Sequence, residues 1–472
     1  MKKSLSLFAA TLIVALASCS AFAAPGDKVT VHEPFDCTVL AEGLDMPWEI
    51  VWGPDGMLWV TERLGKRIVR IDPASGAKHT ALTIDEAVAR GGHEGVIGLV
   101  LAPDLLQPDS KNYVFTSYTY TRRVSNVDLE RKKIVRYQFD KDSGKLINPH
   151  TILEDIPGGD DHNAARLAIG PDGKLYFSLG ELGHNQGANM SKPIEAQRLP
   201  KSEELFIRDW SSYVGKVLRM NLDGSIPSDN PVIKDVQSHI FTYGHRNPQG
   251  LAFVGDTLFS CEHGPSVDDE VNRLEPGGNY GWPHVAGFRD DQSYRYANWS
   301  QATPEAIKNY DPNKPDTIPA GVPVYRETDW HAPDFREPVK TFHTVPNGYN
   351  FKDPRFEGLD YLFWPTVAPS SLVYYPEDGP IAHWRNSLLM TTLKTGLVYR
   401  MKMNADKATV QGDAIGMFHT PNRYRAACLN PAADTLYVIT DSAGNALDRD
   451  GNPTQSMQNP GSILVFKYNA AK

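Results

Sequence analysis

Along most of the chain, apolar and polar residues alternate in short runs bounded by glycine, proline and aspartate. Successive side chains of a strand point to opposite faces, so this pattern predicts β-strands joined by tight turns. The clearest copy reads Trp52-Gly53-Pro54-Asp55-Gly56-Met57-Leu58-Trp59-Val60, and it recurs as Ile169-Gly170-Pro171-Asp172-Gly173-Lys174-Leu175-Tyr176-Phe177. Fainter copies are Leu101-Ala102-Pro103-Asp104 ahead of Tyr113-Val114-Phe115, and Phe253-Val254-Gly255-Asp256 ahead of Leu258-Phe259. Two more are Trp384-Arg385-Asn386-Ser387-Leu388-Leu389-Met390, and Asn430-Pro431-Ala432 ahead of Leu436-Tyr437-Val438. Proline and aspartate shape such turns and glycine supplies positive φ. Six degenerate strand–turn–strand copies predict an all-β, six-bladed β-propeller. A set of ordinary hairpins in a sandwich, or several small β domains, stays open as the alternative. Blades of roughly 75 residues exceed the ~40–45 of a minimal one. The surplus is expected in long loops on one face, with 290–338 the largest candidate. A strand over 29–39 is expected to pair into the last blade and close the ring, which removes open edges.

Composition agrees with a folded globular chain: 472 residues, 41% hydrophobic and 22% charged. Lysine plus arginine number 48 against 57 acidic residues, for a net charge of −9. With no basic run to meet phosphates, a dedicated nucleic-acid binder is excluded. Met1-Lys2-Lys3, the apolar run 5–17 and Ala21-Phe22-Ala23 predict a signal peptide over 1–23, with one propeller domain over 24–472. Leu16-Ala17-Ser18-Cys19 also fits a lipoprotein box, so a lipid anchor at Cys19 is the alternative. Either way the protein is expected to be periplasmic or secreted. No later apolar run approaches the ~20 residues of a transmembrane helix. Cys37, Cys261 and Cys428 are too few and too scattered for a disulfide framework, although one bridge stays open.

Three constellations carry candidate chemistry. Asp161-His162 lies in a polar stretch before a repeat strand; an imidazole beside a carboxylate makes a general base, and a plain capping turn is the bland reading. Arg423 and Arg425 share one face of a strand and, with Lys394, would suit a polyanionic small molecule, unless they form a solvated edge. Gly264, Pro265, Glu270, Asp290 and Glu327 offer loop carbonyls and carboxylates, hard oxygen ligands suited to calcium. No zinc spacing and no dinucleotide-binding glycine loop is present.

The strings MPWEIVWGPDGMLWVTERLGKRIVRIDPASG, YVGKVLRMNLDGSIPSDNP, GHRNPQGLAF, PGGNYGWPHVAG and WPTVAPSS closely resemble the soluble pyrroloquinoline quinone (PQQ) glucose dehydrogenases and, more broadly, the aldose sugar dehydrogenase family. The resemblance runs over about 33–467. It implies a six-bladed propeller that oxidises an aldose sugar at C1 to the lactone, with electrons passed from PQQ to an external acceptor. Carried over by position, His162 is the base beside Asp161, and Arg246 and Asn247 hold the quinone oxygens. Lys394, Arg423 and Arg425 hold the cofactor carboxylates, Thr366 adds a hydroxyl, and Tyr361 with Trp364 forms an apolar sugar wall. The carbonyls of Gly264 and Pro265 match a Ca²⁺ that also meets PQQ. Glu270, Tyr280, Ala286, Phe288, Asp290 and Glu327 match a second, structural calcium site, where Phe288 replaces a tyrosine through its main-chain carbonyl. Three departures matter more. His93 stands where the glucose enzyme has a substrate-facing glutamine, and His263 replaces a glutamine beside the cofactor calcium. Glu181 replaces an aspartate that supports the base. A transition metal on the three histidines, a calcium-dependent lactonase and a non-catalytic sugar-binding propeller are the alternatives, and the family's homodimer stays open.

Overall fold

A computed structural model describes residues 28–29, 34–309, 318–352, 359–448 and 450–470. The expected signal peptide and Cys19 lie outside the described residues. Six blade sheets follow one another, each of four antiparallel strands, and the fifth also takes Lys28–Val29 as a fifth strand, parallel to Val410–Met417. Blade 1 comprises Pro47–Trp52, Leu58–Glu62, Arg67–Ile71 and Lys78–Thr83. Blade 2 comprises Val96–Leu101, Tyr113–Val124, Val127–Asp140 and Lys145–Pro157. Blade 3 comprises Ala164–Ile169, Leu175–Leu179, Lys216–Met220 and Ile240–Tyr243. Blade 4 comprises Pro248–Val254, Thr257–Glu262, Asp269–Leu274 and Lys340–Phe342. Blade 5 comprises Pro369–Tyr375, Ser387–Thr392, Val398–Met403 and Val410–Met417. In blade 6, Tyr424–Leu429, Thr435–Thr440 and Ile463–Tyr468 are completed by the N-terminal strand Phe35–Ala41, which pairs Val39 with Leu464. The expected ring closure is therefore present, but by 35–41 rather than 29–39, since Lys28–Val29 pairs instead with the outer strand of blade 5. The first strand of each blade touches that of the next all the way round, back to blade 1. The described helices are short, as in Ser202–Phe206 and Pro304–Lys308.

Each repeat detected in the sequence falls on the hairpin between a blade's first two strands, and side chains explain why two copies are so clear. In blade 1, the Asp55 carboxylate accepts the Met57 amide (3.2 Å) and the Trp59 indole N–H (3.1 Å), and it pairs with Arg70 at 2.7 Å. In blade 3, Asp172 accepts the Lys174 amide (3.1 Å) and the Tyr176 hydroxyl (2.9 Å), and it pairs with Arg219 at 2.9 Å. One aspartate thus ties turn, second strand and third strand together. Gly56 and Gly173 supply the positive φ, +75° and +70°, that closes each turn.

The core is a series of seams between blades. Blades 2 and 3 bury Ile97, Phe115 and Ile134 against Leu167, Phe177 and Leu218. Blades 6 and 1 bury Ile439 and Ile463 against Ile50, Leu58 and Val60. Each such side chain contributes roughly 1.5–3 kcal/mol of burial free energy. Buried hydroxyls stitch the seams as well: Thr61 donates to the Ile97 carbonyl, Ser117 to that of Ala165 and Ser178 to that of Pro248, each at 2.8 Å. Described Cys37, Cys261 and Cys428 are free thiols.

All six first strands carry a register shift beside their opening residues, as between Pro47 and Glu49, Ala164 and Leu167, or Tyr424 and Ala426. Such irregularities re-aim side chains. The connections between blades, and those between second and third strands, meet at this end of the ring. Connections over 180–215, 343–352, 359–368, 441–448 and 450–462 build up the same face. The described parts of the segment between the third and fourth strands of blade 4, 275–309 and 318–339, leave at the opposite end, against the expectation of long loops on one face, and reach back to the 180–215 connection, where Asn185 bonds Ala297 (2.8 Å) and Trp299 (2.7 Å).

Candidate active site

A cleft of about 260 Å³ opens at that end, over the start of the six inner strands. Its lining unites thirteen of the expected positions: His93, His162, Arg246, Asn247, His263, Gly264, Pro265, Tyr361, Trp364, Thr366, Lys394, Arg423 and Arg425. Asp161 and Glu181 stand directly behind His162.

His162 is 6% exposed and adopts φ +37°, a conformation uncommon for a non-glycine residue and one found at functional sites. The turn closes only because residue 180 is glycine: a Cβ there would lie 2.0 Å from the His162 carbonyl oxygen. The imidazole Nδ1 is 2.6 Å from Oε1 of the fully buried Glu181, whose Oε2 accepts the His184 amide at 2.8 Å. A carboxylate on Nδ1 places the ring hydrogen there and leaves the Nε2 lone pair for a substrate proton. Asp161 Oδ1 accepts the His162 amide at 2.8 Å, lies 3.7 Å from Nε2 and meets His93 Nδ1 at 2.8 Å. Burial opposes ionisation of Asp161, but its bond to His93 and the charge of His162 outweigh it and hold the carboxyl well below the usual range.

The opposite wall is cationic. Lys394 Nζ donates to Thr366 Oγ1 at 2.8 Å and to the Trp364 carbonyl. Arg423 Nε and Arg425 Nε and Nη2 donate to the two oxygens of buried Asp441, at 3.0, 2.8 and 2.9 Å. Burial would raise the Asp441 carboxyl, but Arg425 and Arg423 outweigh it and keep it ionised. Arg246 Nη2 donates to Gln186 at 3.0 Å, while its buried Nε has no partner. His263 bonds the Pro369 carbonyl through Nε2 at 2.9 Å, and burial pushes its pKa well below the ordinary histidine value. A neutral imidazole there suits a dry wall.

The residues expected at the second calcium site do not line the cleft. Glu270 Oε1 accepts the Gly287 amide (2.6 Å), and the two oxygens of buried Glu327 accept the amides of Ala286 (3.0 Å) and Asp291 (2.8 Å). The 286–291 segment, with Phe288 and Asp290, is therefore folded around two carboxylates, while the buried Tyr280 accepts the Glu275 amide at 2.9 Å through its hydroxyl. Burial, with the charge of Asp290, pushes the Glu327 carboxyl up to about 7. Among the described residues, no three acidic, histidine or cysteine side chains converge as a metal cage.

The family model for glucose/sorbosone dehydrogenases matches residues 44–339 and 338–449. The chain belongs to that family. It is 42% identical over 443 residues, 93% of this chain and 92% of the relative, to quinoprotein glucose dehydrogenase B of Acinetobacter calcoaceticus. It is 28% identical over 419 residues, 87% and 91% of the two chains, to aldose sugar dehydrogenase YliI of Escherichia coli strain K12. The PQQ-bound structure of an aldose sugar dehydrogenase from Streptomyces coelicolor shares the fold, with a TM-score of 0.60, 24% identity and coverage of 92% of this chain and 99% of that one.

Within this member of the family, several cleft residues escape a reading of the sequence. Arg63 is 5% exposed and donates to the Glu94 carbonyl at 2.8 Å; burial and the nearby charge of Arg425 lower its pKa to about 10. Trp48 and Gln249 line the cleft from inner strands, with Arg166 stacked 4.2 Å from the Trp48 ring. Trp48 and Gln249 are the residues that fall within the register shifts between Pro47 and Glu49 and between Pro248 and Gly250, which the sequence pattern does not announce. Asp441 carries no motif at all. Among the described residues no helix is long and apolar enough to cross a membrane.

Proposed function

We propose that this chain is a PQQ-dependent aldose dehydrogenase that oxidises glucose-like sugars at C1 to the lactone. The observation that carries this reading is the cleft itself: one histidine oriented by a buried carboxylate faces a wall of Lys394, Arg423, Arg425, Arg246 and Arg63. That donor set fits a planar tricarboxylate quinone, and the unpartnered Nε of Arg246 fits a ligand oxygen. A lactonase would have no use for cations arranged in this way.

When bound, PQQ supplies the two-electron acceptor for the hydride from C1. The chain does the rest. His162 Nε2 accepts the C1 hydroxyl proton, and Glu181 stabilises the imidazolium formed. Arg246 and Asn247 would hold the quinone oxygens, where a cation stabilises developing negative charge. Lys394, Thr366, Arg423 and Arg425 would hold the carboxylates, with the arginines pre-set by Asp441. Tyr361 and Trp364 exclude water along the sugar face. The carbonyls of Gly264 and Pro265 would hold a Ca²⁺ beside the cofactor. A second Ca²⁺ would take Glu270, Asp290, Glu327 and the carbonyls of Tyr280, Ala286 and Phe288; the folding of 286–291 around Glu270 and Glu327 supports this assignment. The leader at 1–23 supports a periplasmic or secreted location, and an external acceptor takes the electrons.

Reconstitution tests the reading. Cofactor-free protein is expected to gain dye-linked glucose oxidation only when PQQ and Ca²⁺ are both supplied, and to ignore NAD. Failure to bind PQQ, or NAD-linked activity without it, overturns the proposal.

A further inference from the structure

In the reaction just described, the C1–H electron pair leaves with its hydrogen to the quinone. The O–H pair closes the C=O bond, and the hydroxyl proton goes to His162. The sugar loses two electrons, the quinone gains two, and one proton is left on a base that must lose it before the next cycle. His162 is poorly placed to deliver it to bulk water, since its side chain is only 8% exposed. Its Nδ1 is closed off by Glu181.

His93 offers the way out. Its ring lies nearly parallel to that of His162, with centroids 6.5 Å apart and 19° between planes, and its side chain is 58% exposed. Transfer between rings with centroids this far apart needs one intervening hydrogen-bonding group, such as a single water. The same oxygen, Asp161 Oδ1, meets His93 Nδ1 at 2.8 Å and lies 3.7 Å from His162 Nε2. One carboxylate thus stabilises a proton on either ring, which flattens the path between them. His93 Nδ1 also lies 3.2 Å from the His162 amide nitrogen, whose shorter bond, 2.8 Å, goes to Asp161; with the ring hydrogen on Nδ1 toward Asp161, His93 Nε2 is free to accept. The His93 backbone is fixed on both sides, its amide donating to the Asp160 carbonyl (2.7 Å) and its carbonyl accepting Asn163 Nδ2 (3.1 Å). Asp161 and His162 face the ring directly. Among the neighbouring charges, Arg63 is turned onto the carbonyls of Gly92 and Glu94, and Glu94 accepts the Arg90 amide.

We propose that His93 is a proton relay, taking the substrate-derived proton from His162 Nε2 across one water and releasing it to solvent. The inference rests on reading the cleft as a sugar-oxidising site, but it concerns a residue that departs from the glutamine of the glucose enzymes. A glutamine can bond Asp161 yet cannot carry a proton.

Two measurements test it. In cofactor-free protein labelled with ¹⁵N-histidine, proton exchange between the His162 ring and water is expected to slow in His93→Ala and equally in His93→Gln. It should stay unchanged in the control His79→Ala on the exposed outer strand of blade 1. In PQQ-loaded protein in a bulky buffer, kcat of both His93 variants is expected to fall roughly 10–100-fold and to recover on adding free imidazole. Unaltered exchange, or a loss of kcat that imidazole does not restore, overturns the relay. A loaded wild type that oxidises no sugar overturns the assigned reaction instead, and leaves the exchange measurement to decide the proton path.

Discussion

Replacing Glu181 with glutamine probes how the base is oriented. Both oxygens of this buried carboxylate accept hydrogen bonds, Oε1 from His162 Nδ1 at 2.6 Å and Oε2 from the His184 amide at 2.8 Å. Glutamine keeps the size but has a single accepting oxygen. If that oxygen faces His162, the new NH₂ opposes the His184 N–H, and a buried donor goes unsatisfied at a cost of about 1–3 kcal/mol. If the amide turns round, its NH₂ donates to Nδ1, the ring hydrogen moves to Nε2, and the lone pair that accepts the substrate proton is gone. In both cases the imidazolium loses a charge-assisted bond of about 1.5–3 kcal/mol, a factor of roughly 10–150 in rate. The wrong tautomer extends the loss toward the ~10⁴ seen when a triad carboxylate becomes an amide. The expected outcome is a kcat lowered by about 10²–10⁴, with PQQ affinity nearly intact. The assay is dye-linked turnover of the reconstituted variant, with ¹⁵N imidazole shifts to read the tautomer. A kcat within about threefold of wild type would refute the reasoning.

Arg425→Ala should weaken PQQ binding by about 1.5–3 kcal/mol, since one guanidinium and its fixed geometry are lost, and a fluorescence titration reads this directly. An unchanged affinity would make Arg425 merely a partner of Asp441. Fully buried Lys132 donates to the Asn163 carbonyl at 3.0 Å, and burial lowers its pKa from 10.5 to about 7. The unfolded chain therefore binds a proton there that the folded one refuses between about pH 7 and 10.5, so this residue makes stability rise with pH across that window. Lys132→Met should gain roughly 2–4 kcal/mol at pH 7 and flatten that rise, measured by urea unfolding at pH 7 and 9; an unchanged slope contradicts it. Chelation of Ca²⁺ should lower Tm, and readdition of Ca²⁺ but not Mg²⁺ should restore it, because the proposed irregular site of six oxygen ligands would suit the larger ion; an unchanged Tm contradicts that site.

The propeller was legible in the sequence because its repeats do local work. Asp55, Trp59 and Arg70 in blade 1, and Asp172, Tyr176 and Arg219 in blade 3, bond one another within a single hairpin and its neighbouring strand, so the composition of the turn survives. Arg246 is legible for a different reason, its place in the string GHRNPQGLAF, while Asp161-His162 and the cluster of Lys394, Arg423 and Arg425 stand out as residue types with bland readings open, and the resemblance gives them roles. What stayed hidden depends on ring closure. Arg63 and Trp48 are 15 residues apart in blade 1, yet they enter a site shared with blade 6 only because Phe35–Ala41 pairs with Ile463–Tyr468. Asp441 is an acid at the end of an ordinary strand until two arginines converge on it. The resemblance placed His93 on the sugar face; the structure adds its pairing with Asp161, which no spacing along the chain announces.

The central claim is that His162 removes the sugar proton in a cleft built to hold PQQ, and the rate at which glucose reduces bound PQQ in a single turnover tests it most directly. Wild-type protein and His162→Ala should bind PQQ with similar affinity. The variant should then reduce it at least ~10²-fold more slowly, the usual contribution of a positioned base. A near-normal rate in His162→Ala would contradict the assignment of the base.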